Sequence, residues 1–126
     1  MKDKSDRKYS NIRVEYKVSV YSEKGDEILT DTIYEILKKI ESLGSLKAVA
    51  EELGISYRKV WGDLKDVENV LGFSLIHKTR GGERGGSTIL TDDGEKFISA
   101  YDKLHSDIDI SVNDYIIDFK KTLKSK

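Results

Sequence analysis

The amino-acid sequence predicts a mainly α protein with a small β component. Apolar residues recur at helical spacing in four segments after residue 30, whereas strand-like patterns are confined to residues 12–29 and to the two sides of a glycine-rich loop. At 126 residues, the chain fits one domain with an extension.

Composition narrows the class of protein. The hydrophobic fraction is 37% and the charged fraction 36%, without a long apolar run, which predicts a cytoplasmic protein that neither is secreted nor enters a membrane. The absence of cysteine excludes disulfides and thiolate metal sites. The net charge of -1 does not itself favour nucleic acid, but residues 76–91 carry three cations and one anion, whereas 92–118 carry two and eight.

The N-terminal part is predicted to be a mobile arm followed by a β-hairpin. Residues 1–11 are polar and charged. Apolar and polar residues alternate strictly from Ile12 to Val20, which indicates a half-buried strand. Ser22–Asp26 contains a glycine and is typical of a turn, after which Glu27–Leu29 is expected to pair back.

A helix is predicted over residues 30–43, ended by Gly44. Thr30, Asp31 and Thr32 are alternative caps for its N-terminus. Its buried face is formed by the apolar residues at helical spacing, namely Ile33, Ile36, Leu37 and Ile40.

The segment from Gly44 to Leu75 is predicted to form two helices joined by a tight turn. Ser45 and Ser56 are candidate caps, and Gly54 separates the helices. The apolar faces comprise Leu46, Val49, Ala50 and Leu53 in the first helix, and Val60, Leu64, Val67 and Leu71 in the second.

The opposite face of the second helix combines cations, hydroxyl groups and aromatic rings. A helix that enters the DNA major groove presents such groups to base edges. For these two helices alone, an ordinary helical hairpin with a solvated face is the alternative. The candidate DNA contacts on this face are Ser56, Tyr57, Arg58, Trp61 and Lys65.

Strand-like residues Ile76–Thr79 and Thr88–Leu90 flank the loop RGGERGGS. Its four glycines allow the backbone to approach another molecule closely, and Arg80 and Arg84 suit a phosphate backbone or a minor groove. Lys78 is a further candidate phosphate contact. A mobile hairpin tip is the alternative, but after a helix-turn-helix the loop indicates the wing of a winged helix-turn-helix.

The last predicted helix carries an apolar seam longer than a three-helix core can cover. Thr91 is its candidate cap, and a break near Asn113 or an intramolecular fold-back are alternatives to one helix with a partner. We expect homodimerisation through Tyr101, Leu104, Ile108, Val112, Tyr115 and Phe119.

The expected organisation is therefore a mobile arm (1–11), a winged helix-turn-helix with an N-terminal hairpin (12–90) and a C-terminal dimerisation helix (91–126). His77 and His105 are separate from each other and from any metal-spaced carboxylate pair. No nucleophile elbow or triad is present in the sequence. We expect no catalytic residue, metal site or cofactor.

Two stretches resemble known regulators. GSLKAVAEELGISYRKVWGDLKDVENVLGFSLI resembles the helix-turn-helix of LysR-type regulators, and KTRGGERGGSTILTDDGEKFISAYDKL is similar to the DNA-binding domain of ModE-type, molybdate-responsive regulators. The resemblance covers about residues 27–105. It implies a dimeric winged-helix transcription factor that places the candidate residues of the second helix in the major groove and flanks them with Arg80 and Arg84.

ModE-type regulators continue into a C-terminal oxyanion-binding module, whereas this sequence ends at Lys126, so molybdate sensing is not expected of it. The predicted function is sequence-specific binding of double-stranded DNA by a homodimeric transcriptional regulator. The alternative is a winged-helix protein–protein interaction module anchored by Tyr57 and Trp61. The sequence identifies no small-molecule effector.

Overall fold

A computed structural model describes residues 7–79 and 86–125 of the chain. These residues form helices and one small sheet, so the predicted class, mainly α with a small β component, is confirmed. In chain order the elements are α1 (Asp31–Leu43), α2 (Leu46–Leu53), α3 (Tyr57–Leu71), β1 (Ile76–Thr79), β2 (Ser87–Leu90) and α4 (Asp92–Lys124).

The helix ends follow the predicted capping residues. Thr30, rather than Asp31 or Thr32, caps α1, because its hydroxyl accepts from the backbone N–H of Ile33 at 3.1 Å. Ser45 and Ser56 cap α2 and α3 in the same way. Between α2 and α3, Gly54 adopts a φ of 70°, which lets the chain turn within three residues.

Helices α1, α2 and α3 surround one apolar core. The wing strands and Ile98 of α4 also contribute to it. Because the core takes one side of α3, the other side of this helix remains exposed. The largest fully buried side chains are Ile36, Leu37, Ile40, Leu46, Leu64, Leu75, Val49 and Val60.

The wing base is a two-stranded antiparallel sheet attached to the helix-turn-helix. Ile76 pairs with Leu90 and Thr79 with Ser87. The backbone N–H of Thr88 donates to the carbonyl of Gly44 at 2.8 Å, which joins β2 to the turn between α1 and α2. The base of the wing is therefore attached to the helices of the winged helix-turn-helix.

The first turn of α4 packs against the connection between α3 and β1. The hydroxyl of Thr91 accepts from Gly94 N at 2.9 Å and donates to the carbonyl of Ser74 at 2.7 Å. Gly94 is buried, and a Cβ at this position would overlap the carbonyl oxygen of Leu75. Thr91 is thus the cap predicted from the sequence, with a second contact that joins α4 to the wing base.

The predicted N-terminal hairpin is not formed as two strands. The turn at Ser22–Asp26 is present, with Gly25 at a φ of 96°, but pairing is limited to one bridge between Tyr21 and Glu27 and a bond from Ile28 N to Val20 O. The strand predicted from Ile12 is wrong. Since α1 begins at Asp31, too few residues follow the turn to pair with a nine-residue strand.

The chain divides into two compact units. Ser19–Tyr101 contains the winged helix-turn-helix, and the described residues 7–18 join residues 102–125 in the other unit. Within this second unit, a groove of about 500 Å³ is lined by Val14 and by residues of α4, namely Val112, Tyr115, Ile116 and Phe119. Helix α4 runs without the break considered near Asn113.

The residues predicted for dimerisation differ in exposure. Leu104, Tyr115 and Phe119 are exposed, with 71% of the surface of Tyr115 accessible, whereas Ile108 and Val112 are half-buried. The ring of Tyr101 lies 5.2 Å from that of Tyr34, centroid to centroid, within the Ser19–Tyr101 unit. The seam is therefore covered in part by its own chain and open in part.

None of the helices in the described ranges combines the length and the apolar character needed to cross a membrane.

Candidate nucleic-acid interface

The candidate interface is the exposed face of α3, opposite the buried stripe of Val60, Leu64 and Val67. Two large aromatic side chains remain accessible there, with exposed fractions of 43% for Tyr57 and 41% for Trp61. Both belong to one helix whose backbone is fixed by the core, so their positions on this face are set by the fold. The structure brings together the candidates Ser56, Tyr57, Arg58, Trp61, Lys65 and Lys78.

Arg58 differs from the two lysines of α3 in its surroundings. Lys59 Nζ lies 3.1 Å from a carboxylate oxygen of Asp63, and Lys65 Nζ lies 3.2 Å from one of Glu68. Within the part of the chain that the structure describes, Arg58 is exposed and makes no ion pair. Its planar group of five N–H donors is therefore available for bidentate recognition.

A direct contact joins the beginning of α3 to the first wing strand. Lys78 of β1 donates a hydrogen bond to the hydroxyl of Tyr57, and its Nζ lies 5.0 Å from the centroid of the Tyr57 ring. The partner of Lys78 is a neutral phenol, so its positive charge is not neutralised by this contact. Lys78 thus extends the cationic part of the face from the helix onto the wing.

Lys65 lies between an aromatic ring and a carboxylate. Its Nζ is 5.5 Å from the centroid of the Trp61 ring and 3.2 Å from Glu68 Oε1. The Lys65 side chain is 42% exposed, against 6% for Glu68. The ammonium group is therefore accessible but already has an anionic partner.

The sequence reasoning missed Glu68. Its buried Oε2 accepts from the backbone N–H groups of Leu75 at 2.6 Å and Ile76 at 3.2 Å, where the chain enters β1. The available signal was its spacing: Glu68 follows Leu64 by four residues, so it lies on the buried side of α3. A carboxylate on a buried face needs hydrogen-bond donors, and the amides at the start of the wing supply them.

The other candidates are more limited. Ser56 is exposed, but its hydroxyl oxygen accepts from Lys59 N at 3.1 Å as the cap of α3, so its O–H donor and one further lone pair remain for a ligand. Arg80 and Arg84 lie outside the described residues. In the described ranges, no group of three or more histidine, aspartate or glutamate side chains is arranged to hold a metal ion.

A known family matches this part of the chain. The family described as bacterial regulatory helix-turn-helix protein, lysR family, matches residues 33–95, which include α1, the helix-turn-helix, both wing strands and the start of α4. Because the match covers half of the chain, the chain belongs to this family. The predicted resemblance and the regulatory helix-turn-helix class are confirmed.

Individual relatives agree with the ModE resemblance. The chain is 34% identical over 73 residues to the molybdenum-pterin-binding protein MopB of Rhodobacter capsulatus, covering 58% of this chain and 27% of that protein. It is 36% identical over 69 residues to the transcriptional regulator ModE of Yersinia pestis, covering 55% of this chain and 26% of that protein. The chain thus spans about a quarter of the length of these relatives.

The fold has a counterpart among solved structures. A LysR family transcriptional regulator superposes with a TM-score of 0.50 at 20% sequence identity, covering 69% of this chain and 28% of that one. At this identity the similarity concerns the fold, and it supports the winged-helix class predicted from the sequence.

Proposed function

We propose that this chain is a sequence-specific DNA-binding transcriptional regulator that acts in the cytoplasm as a homodimer. The observation that carries the proposal is the exposed face of α3, where Arg58, which has no ion pair among the described residues, accompanies the exposed Tyr57 and Trp61 in a helix-turn-helix of the lysR family. Residues 12–90 would contact DNA and residues 91–126 would join the two subunits.

The chemistry of the α3 face suits base edges. A guanidinium donates in bidentate fashion to O6 and N7 of guanine, and hydroxyl groups donate to either purine or pyrimidine acceptors. We therefore assign base-edge contacts to Ser56, Tyr57, Arg58 and Lys65, with Trp61 packing beside them. Lys78 and, in the wing loop, Arg80 and Arg84 are assigned to phosphates or to the minor groove.

Dimerisation is proposed from the apolar seam of α4. Leu104, Tyr115 and Phe119 expose large apolar surface on a 33-residue helix, and a second copy of the helix would remove that surface from water. Two α3 helices would then read an inverted repeat whose half-sites lie about one helical turn apart, or a multiple of it. Tyr101, Ile108 and Val112 complete the proposed seam.

The relatives' names do not define a ligand for this chain. Molybdenum is mentioned in the names of relatives that are about four times as long as the matched region. We propose no cofactor and no effector.

Selection of bound fragments from sheared genomic DNA, followed by affinity measurements on the enriched site and on random DNA, tests the proposed function. We expect a palindromic enriched site, and affinity for it about 10³-fold or more above that for random DNA at the same salt. The salt concentration must be matched, since phosphate contacts make both affinities fall steeply as salt rises.

The alternative function, a protein-interaction module with Tyr57 and Trp61 as anchors, has the same exposed aromatic residues in its favour. Absent or salt-insensitive DNA binding would favour this alternative over the regulator. Enrichment without palindromic symmetry would retain DNA binding and remove the proposed dimer geometry.

A further inference from the structure

We propose that Glu68 is a positioning residue that sets the discrimination between specific and random DNA by neutralising Lys65 on the reading face. The inference rests on the DNA binding proposed above and concerns the same site. Because Glu68 itself is buried, it acts through Lys65 and through the start of the wing.

The carboxylate of Glu68 is held from two sides. One oxygen accepts from two consecutive backbone amides, Leu75 N at 2.6 Å and Ile76 N at 3.2 Å, and the other lies 3.2 Å from Lys65 Nζ. Charge-assisted bonds to backbone amides keep a carboxylate in a fixed orientation. The position of the anion beneath Lys65 is therefore determined by the junction of α3 with β1, and not by a mobile surface side chain.

Neutralisation of Lys65 has a specific consequence for binding. Affinity for random DNA arises mainly from the release of counterions when free cations approach phosphates. An ammonium group that already has a fixed carboxylate partner adds little net charge, yet its N–H donors can still be directed to a base edge. Glu68 thus lowers the contribution of Lys65 to random DNA while leaving its directional contact intact.

Lys78 provides the internal comparison. It is the other lysine of the face with a defined contact, but its partner is the neutral hydroxyl of Tyr57. The two lysines present the same chemical group near the same helix and differ in whether the charge has a carboxylate partner. Their substitutions to glutamine should therefore affect the salt dependence differently.

Glu68→Gln tests the proposal directly. The amide oxygen of glutamine can still accept from Leu75 N and Ile76 N, so the junction keeps its acceptor while the negative charge is lost. We expect the slope of log K against log salt on random duplex DNA to become steeper by about 0.9, the value for one additional phosphate contact. Affinity for random DNA should rise several-fold at about 0.1 M salt, and the ratio of specific to random affinity should fall.

Two matched controls separate this effect from a general change in charge. Asp107→Asn also removes one negative charge and releases Lys103, which lies 2.6 Å from Asp107 on α4, and should leave the slope on random DNA within error of wild type. Adding Lys65→Gln to Glu68→Gln should return the slope to the wild-type value, because the released cation is then absent. A purely structural role for Glu68 would not give this reversal.

A second measurement does not depend on how well the Glu68 variant folds. In the otherwise wild-type chain, Lys65→Gln should change the slope on random DNA by much less than Lys78→Gln, which should flatten it by about 0.9. Equal slopes for the two variants, or an unchanged slope for Glu68→Gln with its fold intact, would overturn the inference. Failure of the wild-type chain to bind any DNA would instead remove the proposed function.

Discussion

The three cations of α3 differ in whether a neighbouring carboxylate pairs with their charge. Lys59 and Lys65 each have a carboxylate at the next helical turn, whereas Arg58 is the cation of this helix without an ion pair in the described ranges. The surface pair of Lys59 and Asp63 contributes little to stability. Ion pairs on α3 matter more for DNA binding, because they determine which cations are available to contact DNA.

Arg58→Ala should cost roughly 1 to 3 kcal/mol of binding free energy on the specific site and relax the base preference at one position, because a bidentate guanine contact is lost. Titration of the selected site and of single-base variants measures both effects. Lys59→Ala is the matched control, since its charge is already paired with Asp63, and it should cost less. An equal loss for Arg58→Ala on random DNA would reassign this residue to phosphate.

Spacing in the sequence predicts which residues of α3 are exposed, because the apolar stripe defines the opposite face. It does not predict which lysine is neutralised, since this depends on the side-chain rotamers in the fold. The contacts of Glu68 could not be predicted from the sequence either. Its amide partners lie seven and eight residues away, beyond the end of α3.

At the scale of elements, the wing base is fixed by a few backbone contacts. Thr88 N bonds to Gly44 O, and Thr91 joins the end of β2 to the α3–β1 connection. At Gly94 the first turn of α4 approaches the Leu75 carbonyl so closely that no side chain fits between them. This contact brings the start of α4 to the same junction that Glu68 holds.

Gly94→Ala should destabilise the folded chain by about 1 to 3 kcal/mol, as overpacking of a close contact commonly does, because the added methyl group would meet backbone and not a movable side chain. Chemical denaturation measures the change. Gly62→Ala is the control. A Cβ at position 62 would have no atom within 4 Å beyond its chain neighbours and the backbone of its own helix, and alanine is favoured over glycine in a helix by about 1 kcal/mol, so this variant should not be destabilised. If Gly94→Ala were as stable as Gly62→Ala, the close packing of α4 on Leu75 would be refuted.

Helix ends were the most predictable elements, since a hydroxyl cap and a terminal glycine act locally. The N-terminal hairpin was not predictable from alternation alone. A period of two indicates that a segment can form a strand, but a strand also requires a partner of matching length, and α1 begins soon after the turn. Ile98 was not predicted as a core residue, because the regular apolar spacing that begins at Tyr101 does not include it and only packing identifies it as buried.

At the scale of the whole molecule, part of the apolar seam of α4 remains exposed. Tyr115 is 71% exposed although it follows the apolar spacing of the helix. Tyr115 lines the groove with Val14, Val112 and Phe119, so the chain covers part of the seam itself. The proposed dimer would use the surface of Tyr115 that remains exposed.

Tyr115→Glu should abolish dimerisation while leaving the fold intact, because the side chain is accessible in the single chain and a carboxylate is costly to bury between two helices. Sedimentation velocity over a concentration series gives the oligomeric state. Asn113→Glu adds the same charge about 160° around the helix from Tyr115 and should remain dimeric. A monomeric wild type, or a dimeric Tyr115→Glu variant, would contradict the proposed seam.

The hydrogen bonds that Glu68 makes to the start of β1 also bear on the redesign of specificity. Three exposed residues of α3 can be replaced by those of another DNA-binding protein without disturbing the core, namely Tyr57, Arg58 and Trp61. Lys65 and Glu68 form a coupled pair, so a transplant that replaces the lysine alone would leave an acidic group beneath the new side chain. Libraries of variants with altered DNA specificity should therefore vary positions 65 and 68 together and keep a hydrogen-bond acceptor at position 68.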